Sequence, residues 1–140
     1  MPHRFREHVI RVLDGDTLEI LQDKKPVRVR LANIDAPEKK QPFGRWSATQ
    51  LKDTGERKAR NRAIRADRQV WYCILGKVYT ADGTEANRWQ VRNGAAWVYP
   101  DYNNDYTLPP LQRDARALKR GLWADKNPVP PWTWRKQNKK

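Results

Sequence analysis

Val27-Arg28-Val29-Arg30-Leu31-Ala32-Asn33-Ile34-Asp35-Ala36-Pro37-Glu38 starts as an alternation of apolar and basic side chains and ends with a proline between acids. The period of two over Val27 to Leu31 predicts a half-buried strand with Arg28 and Arg30 on its polar face. Pro37 stops that strand, because it has no N–H to give a ladder. On the N-terminal side, His8 to Leu13 and Thr17 to Leu21 read as strands rich in Val, Ile and Leu. Asp14-Gly15-Asp16 makes the tight turn between them, and Gln22 to Pro26 the next turn. On the C-terminal side, Phe43 to Thr54 favours a helix, with Trp46 and Gln50 one turn apart. Ile74 to Thr80 reads as a strand ending in the turn Ala81-Asp82-Gly83, and Ala86 to Asn93 as a short helix closed by Gly94. Leu108 to Arg120 is a longer helix, with Leu111, Ala115 and Leu118 on one face and Gly121 as its stop. The tail Asn127-Pro128-Val129-Pro130-Pro131-Trp132 is too rich in proline for helix or sheet and is expected to cross the surface. Lys136 to Lys140 reads as a frayed basic end. Strands first and helices later predict an α+β, β-rich domain over residues 1–126, built on a small OB-type barrel, with a Pro/Trp-rich basic tail over 127–140.

The 140 residues suit one domain, and the formal net charge of +13 creates a field that draws in polyanions. A membrane-surface protein would share that charge, but no amphipathic helix with a basic face supports one, and no stretch approaches the roughly 18 apolar residues of a span. A merely soluble basic protein would carry the same charge, which alone does not separate these readings; the expectation taken forward is a nucleic-acid partner, single-stranded or locally opened, with no membrane and a monomeric chain. One cysteine, Cys73, rules out an internal disulfide and leaves no cysteine cluster for zinc. With only His3 and His8 besides, any metal would be a hard cation bound through oxygen. The opening Met1-Pro2-His3-Arg4-Phe5-Arg6 lacks the apolar core of a signal peptide, which reads as a cytosolic start and names no final compartment.

Three acids bear on chemistry. Asp16 follows a turn, Asp35 ends a strand, and Glu38 lies three residues further on. Asp14 and Asp16 would aim the same way in an extended stretch, and the Ala36-Pro37 step could present the Ala36 carbonyl beside Asp35 and Glu38. Taken singly, each is better read as an ordinary turn acid. Arg30 changes the balance, because its guanidinium makes the planar bidentate contact that phosphate oxygens favour. A cation, a carboxylate base and an arginine on one face suit phosphodiester hydrolysis.

Val12-Leu13-Asp14-Gly15-Asp16-Thr17-Leu18 and Val29 to Glu38 resemble the two signature motifs of the staphylococcal nuclease family, at matching separation. Gly83 to Asn87, Val91 to Tyr99 and Gly121 to Asp125 also resemble family segments, so the resemblance omits only about Gly55 to Cys73. It implies a five-stranded OB-fold barrel with three helices, and Ca2+-dependent endonuclease activity on DNA and RNA. By motif position it implies Asp16 and Asp35 as calcium ligands, with the Ala36 carbonyl beside them. The family usually has Thr where Ala36 stands, and a backbone ligand survives that change. It further implies Arg30 as a catalytic arginine, Glu38 as the holder of the attacking water, and Tyr99 and Tyr102 as nucleotide contacts.

One family feature has no counterpart. A second catalytic arginine belongs just before the strand at Ile74, where this chain has Asp67-Arg68-Gln69-Val70-Trp71-Tyr72-Cys73. The preceding Gly55 to Ala66 shows no strand alternation, and its Ala and Arg content suits an exposed basic helix. A shifted reading frame is the sharper account. One permitted codon choice for Ala59 to Cys73, read from its second base, gives Pro-Val-Thr-Val-Arg-Tyr-Ala-Gln-Thr-Asp-Arg-Tyr-Gly-Ile, an alternating strand followed by most of the absent segment. Weakened turnover is therefore expected, and a nucleic-acid-binding OB domain without turnover is the alternative.

Overall fold

A computed structural model describes residues 3–54, 61–70, 73–80 and 83–139, with 3–8 and 61–70 described through their backbone alone. β1 (His3–Asp14) and β2 (Thr17–Gln22) form an antiparallel hairpin, to which β3 (Lys25–Leu31) adds. Asp23 and Lys24 join β2 to β3 at φ of 50° and 65°, the left-handed pair that a primed hairpin turn requires. The alternation read from the sequence is the core face, since Leu18, Ile20, Val27, Val29 and Leu31 are all buried.

β6 (Cys73–Tyr79) runs parallel to β3, with Ile74 opposite Val29. β5 (Asn61–Val70) lies antiparallel to β6 and also pairs with β1, so the order β1-β2-β3-β6-β5 returns to its first strand. Where an exposed basic helix was one expectation, residues 61–70 are thus a strand. Ladders along both of its edges override the helical preference of Ala and Arg. Residues 55–60 of the expected Gly55–Ala66 helix, Trp71-Tyr72 of the segment without the second arginine, and the expected turn residues Ala81-Asp82 lie outside the described residues.

A second, small sheet pairs β4 (Ile34–Asp35) with β7 (Trp97–Val98). Helices α1 (Gly44–Lys52), α2 (Ala86–Arg92) and α3 (Leu108–Ala117) fall where expected, giving an α+β protein. Leu118 is a correction: the helix stops before it, Lys119 turns left-handed at φ 53°, and the side chain is 62% exposed. The tail is a larger one. It forms a fourth helix, α4 (Pro131–Gln137), which also takes in part of the basic end expected to fray. Pro131 stands at the first helical position, where a missing N–H costs nothing. Among the described residues no helix is long and apolar enough to cross a membrane.

Two buried amides on α2 tie the layers together. Asn87 Nδ2 donates to the carbonyls of Ala32 (2.9 Å) and Gly76 (3.2 Å), while its Oδ1 accepts the Val78 N–H (3.2 Å). Gln90 Nε2 donates to the carbonyls of Gly15 (2.8 Å) and Ser47 (3.0 Å), which fixes the β1–β2 turn against α1.

Candidate active site

Asp16 leaves the β1–β2 turn with its side chain almost fully buried. The turn is an Asx-type closure in which Asp14 Oδ1 accepts the Asp16 N–H at 3.1 Å. Asp14 therefore closes the turn, and its carboxyl also stands beside that of Asp16. Register brings Arg30 alongside: Thr17 pairs with Arg30, and the Leu31 N–H donates to the Asp16 carbonyl at 2.8 Å.

Asp35 is delivered by a corner. Asn33 takes a left-handed φ of 74°, which asparagine tolerates, and its carbonyl accepts the Tyr99 N–H at 2.9 Å. The chain then enters β4, leaving Asp35 1% exposed and opposite Trp97. Asp16 Oδ2 accepts the Ala36 N–H at 2.9 Å, joining the two acidic segments. Arg30 Nη2 stands 3.8 Å from Asp16 Oδ2 and 3.5 Å from Asp35 Oδ1. Burial first, and then Asp14 beside it, push the Asp16 carboxyl well above the ordinary carboxylate value, against the pull of Arg30 and the Ala36 N–H.

Beside these groups opens a groove of about 390 Å³, lined by Arg30, Leu75, Tyr99, Tyr102 and Asn104 among others. The Arg30 guanidinium carbon lies 5.8 Å from the Tyr99 ring centre, and Tyr102 meets Tyr99 edge-on at 4.8 Å. Tyr102 is 71% exposed and so presents a ring to solvent at the groove mouth.

Glu38 sits at the rim, with its N–H donating to Gln41 Oε1 at 3.2 Å. A residue that the sequence reading left out joins it to Asp35. Arg135 Nη1 donates to Glu38 Oε1 (2.9 Å) and Asp35 Oδ1 (3.1 Å), and its Nη2 to Asp35 Oδ2 (2.6 Å). These bonds, Asp35 foremost, hold the Arg135 pKa above its ordinary value. The signal for it was present: Pro131 can open a helix, and Arg135 follows Trp132 by one turn.

The donors fit a hard cation in kind, being carboxylates, and a guanidinium already rests on two of them as a cationic stand-in. The three carboxylates are linked through Arg30 and Arg135 and do not converge directly. Among the described residues no three His, Cys, Asp or Glu side chains gather closely enough to hold an ion by themselves.

Paired carboxylates, two guanidinia and an aromatic groove on a basic α+β protein define a class: domains equipped to handle phosphodiesters. The staphylococcal nuclease homologue family matches residues 28–125. Over 91% of this chain and 82% of its own length, an uncharacterized endonuclease of Escherichia coli is 54% identical. A micrococcal nuclease of Shigella flexneri is 36% identical over 96% of this chain and 83% of its own length. The staphylococcal-like nuclease CAN1 of Arabidopsis thaliana is 31% identical over 92% of this chain, which spans 39% of that longer protein. The chain belongs to the staphylococcal nuclease family.

Proposed function

We propose that this protein is a Ca2+-dependent endonuclease that hydrolyses phosphodiester bonds of DNA and RNA as a monomer, on a five-stranded OB-type barrel. The single observation that carries the reading is Arg30, whose guanidinium lies within 4 Å of both Asp16 and Asp35 at the edge of the tyrosine groove. The ring of strand pairings supports the barrel, and the named nuclease relatives support the reaction class.

Asp16, Asp35 and the Ala36 carbonyl would hold the cation, which supplies Lewis-acid polarisation of the phosphate. Arg30 grips the non-bridging oxygens and offsets the charge that builds on them. Glu38 takes the proton of the attacking water as its oxygen bonds to phosphorus, and solvent protonates the alkoxide leaving from the broken P–O bond. Tyr99 and Tyr102 supply rings on which a nucleotide base stacks. One feature favours a second reading, nucleic-acid binding without turnover: Asp67 to Cys73 offers no arginine at the place where the family resemblance implies one.

Plasmid and RNA digestion with calcium, with chelator, and with Asp35→Ala separates these readings. Cleavage that needs calcium and is abolished by Asp35→Ala is expected. Cleavage surviving both chelator and variant refutes the cation site, and tight binding with no cleavage selects the second reading.

A further inference from the structure

α4 is anchored independently of the carboxylates. Pro131 is buried, and the Trp132 ring stacks on Tyr99 at 5.5 Å with 8° between planes while meeting Trp97 edge-on at 5.6 Å. Gln41, whose Oε1 accepts the Glu38 N–H, donates from Nε2 to the Val129 carbonyl at 2.6 Å, tying the approach to α4 to the Glu38 loop. Trp134 packs on the other side, in a small cavity with Pro37 and Phe43. Arg135 thus projects from a fixed base, as a built component of the site.

Its guanidinium is only partly engaged. Of the five N–H donors that an arginine carries, three are spent on Asp35 and Glu38. The Nε hydrogen and one Nη2 hydrogen have no carboxylate partner among the described residues, and the side chain is 38% exposed. Arg30 reaches the same Asp35 Oδ1 atom that Arg135 bonds, so the two guanidinia meet on one oxygen. A phosphate seated on Arg30 is therefore within reach of the free donors of Arg135, with no carboxylate bond surrendered. Arg135 would then bridge the phosphate and the Glu38 base.

We propose that Arg135 is a catalytic residue of this site, a second phosphate-binding guanidinium delivered by the C-terminal helix. The proposal rests on the nuclease reading for its catalytic part. The phosphate contact itself can be read without turnover. Asp35 and Glu38 orient the guanidinium, and Arg135 shares with Arg30 the charge that develops on the two non-bridging oxygens as water attacks.

The test uses the full chain as wild type, Arg135→Ala and Arg135→Lys. Each is measured for kcat and KM on a short single-stranded oligonucleotide, and for calcium affinity by calorimetry. Binding of a labelled oligonucleotide is followed in parallel across a salt series. Arg135→Ala should lower kcat by about 10²–10³-fold with a much smaller change in KM. Arg135→Lys, which keeps a cation beside Asp35, should recover only part of it, because an ammonium lacks the planar fork. Millimolar guanidinium added to Arg135→Ala should restore part of kcat, which a merely structural arginine would not allow. The salt dependence of binding should lose roughly 0.7–0.9 of a unit of slope, the mark of one lost phosphate contact. An unchanged or raised kcat in Arg135→Ala overturns the proposal, and a rise together with tighter calcium binding shows a plug in its place. If wild type binds but never cleaves, the nuclease reading fails by itself. The slope then decides whether Arg135 touches phosphate, and equal slopes sink that as well.

Discussion

Replacing Asn87 by Leu should cost the fold about 2–6 kcal/mol, and the figure comes from two atoms. Asn87 is fully buried and bonds three backbone groups. Gly76 O also accepts the Ala32 N–H at 2.8 Å, so it stays satisfied when the amide is removed. The Ala32 carbonyl and the Val78 N–H lose the partner that Asn87 gave them, and each buried group left unpaired costs about 1–3 kcal/mol. Leucine has the branching and heavy-atom count of asparagine with bulkier ends, so no cavity penalty enters the sum. Set against the roughly 5–15 kcal/mol of a typical domain, the loss is large. At about 4 °C per kcal/mol it lowers the thermal midpoint by roughly 8–24 °C. Urea unfolding read by tryptophan fluorescence and by circular dichroism gives the free energy, provided that the two transitions coincide and the slope is unchanged. The same bond steadies the end of β3, where Ala32 stands between Arg30 and the corner at Asn33. Cleavage measured well below the lowered midpoint should therefore also fall, by up to about 10²-fold for a displacement near 1 Å. A midpoint shift worth less than about 0.5 kcal/mol refutes the reasoning, since it would mean that the buried amide bears no such responsibility.

Asp16 gives a pH signature. Its carboxyl is raised in the folded protein, so the fold binds that proton more tightly than the unfolded chain does. That stabilisation is complete below the ordinary carboxylate pKa of about 3.9 and is lost as pH rises through the raised value. In chelator, wild type should lose stability relative to Asp16→Asn as pH climbs through the acidic range. Identical pH dependence of their thermal midpoints contradicts this. At the neighbouring turn, a Cβ on Gly15 would lie 1.8 Å from Ser47 Oγ and 2.8 Å from the Ala36 Cβ. Ser47 is fully buried and bonded to the Ala95 carbonyl at 2.6 Å, so it has no room to retreat. Gly15→Ala should destabilise by about 1–3 kcal/mol or more and disturb Asp16, with Ser47→Gly in the same chain giving partial rescue in a thermal melt. A Gly15→Ala protein as stable as wild type rules out that close approach.

The legible parts of the fold were those where side-chain period and turn chemistry agreed. Val27 to Leu31 alternates cleanly after the Asp23-Lys24 turn, so strand and face follow, whereas its end is set by the corner at Asn33, ahead of Pro37. Asp16, Arg30 and Asp35 could be grouped because the strand after Asp16 pairs directly with the one carrying Arg30. β5 escaped for the opposite reason. Asn61 to Val70 has a helix-like local composition, and only its pairing with β1 and β6 makes it a strand, which is information held elsewhere in the chain. Arg135 escaped because proline density in the tail argued against a helix, although proline is an impediment only past the first turn. The family pattern puts a second arginine near Cys73, while a guanidinium on Asp35 comes from the last helix.

Charge explains why that helix and the acids belong together. Asp35 is 1% exposed, and an ionised carboxylate at such depth is tolerated only with partners. Arg30 stands 3.5 Å away and also attends Asp16, which leaves the short contacts to Arg135 as the main compensation. Leaving a buried carboxylate without a cationic partner is destabilising, whereas filling the site with another cation need cost nothing of the kind. Asp35 therefore needs positive charge from some source: the tail alone, or the tail together with a divalent ion. A site arranged this way keeps Asp35 and Glu38 hydrogen-bonded to one guanidinium before any ligand arrives, so the charge that a ligand would meet is already fixed in place.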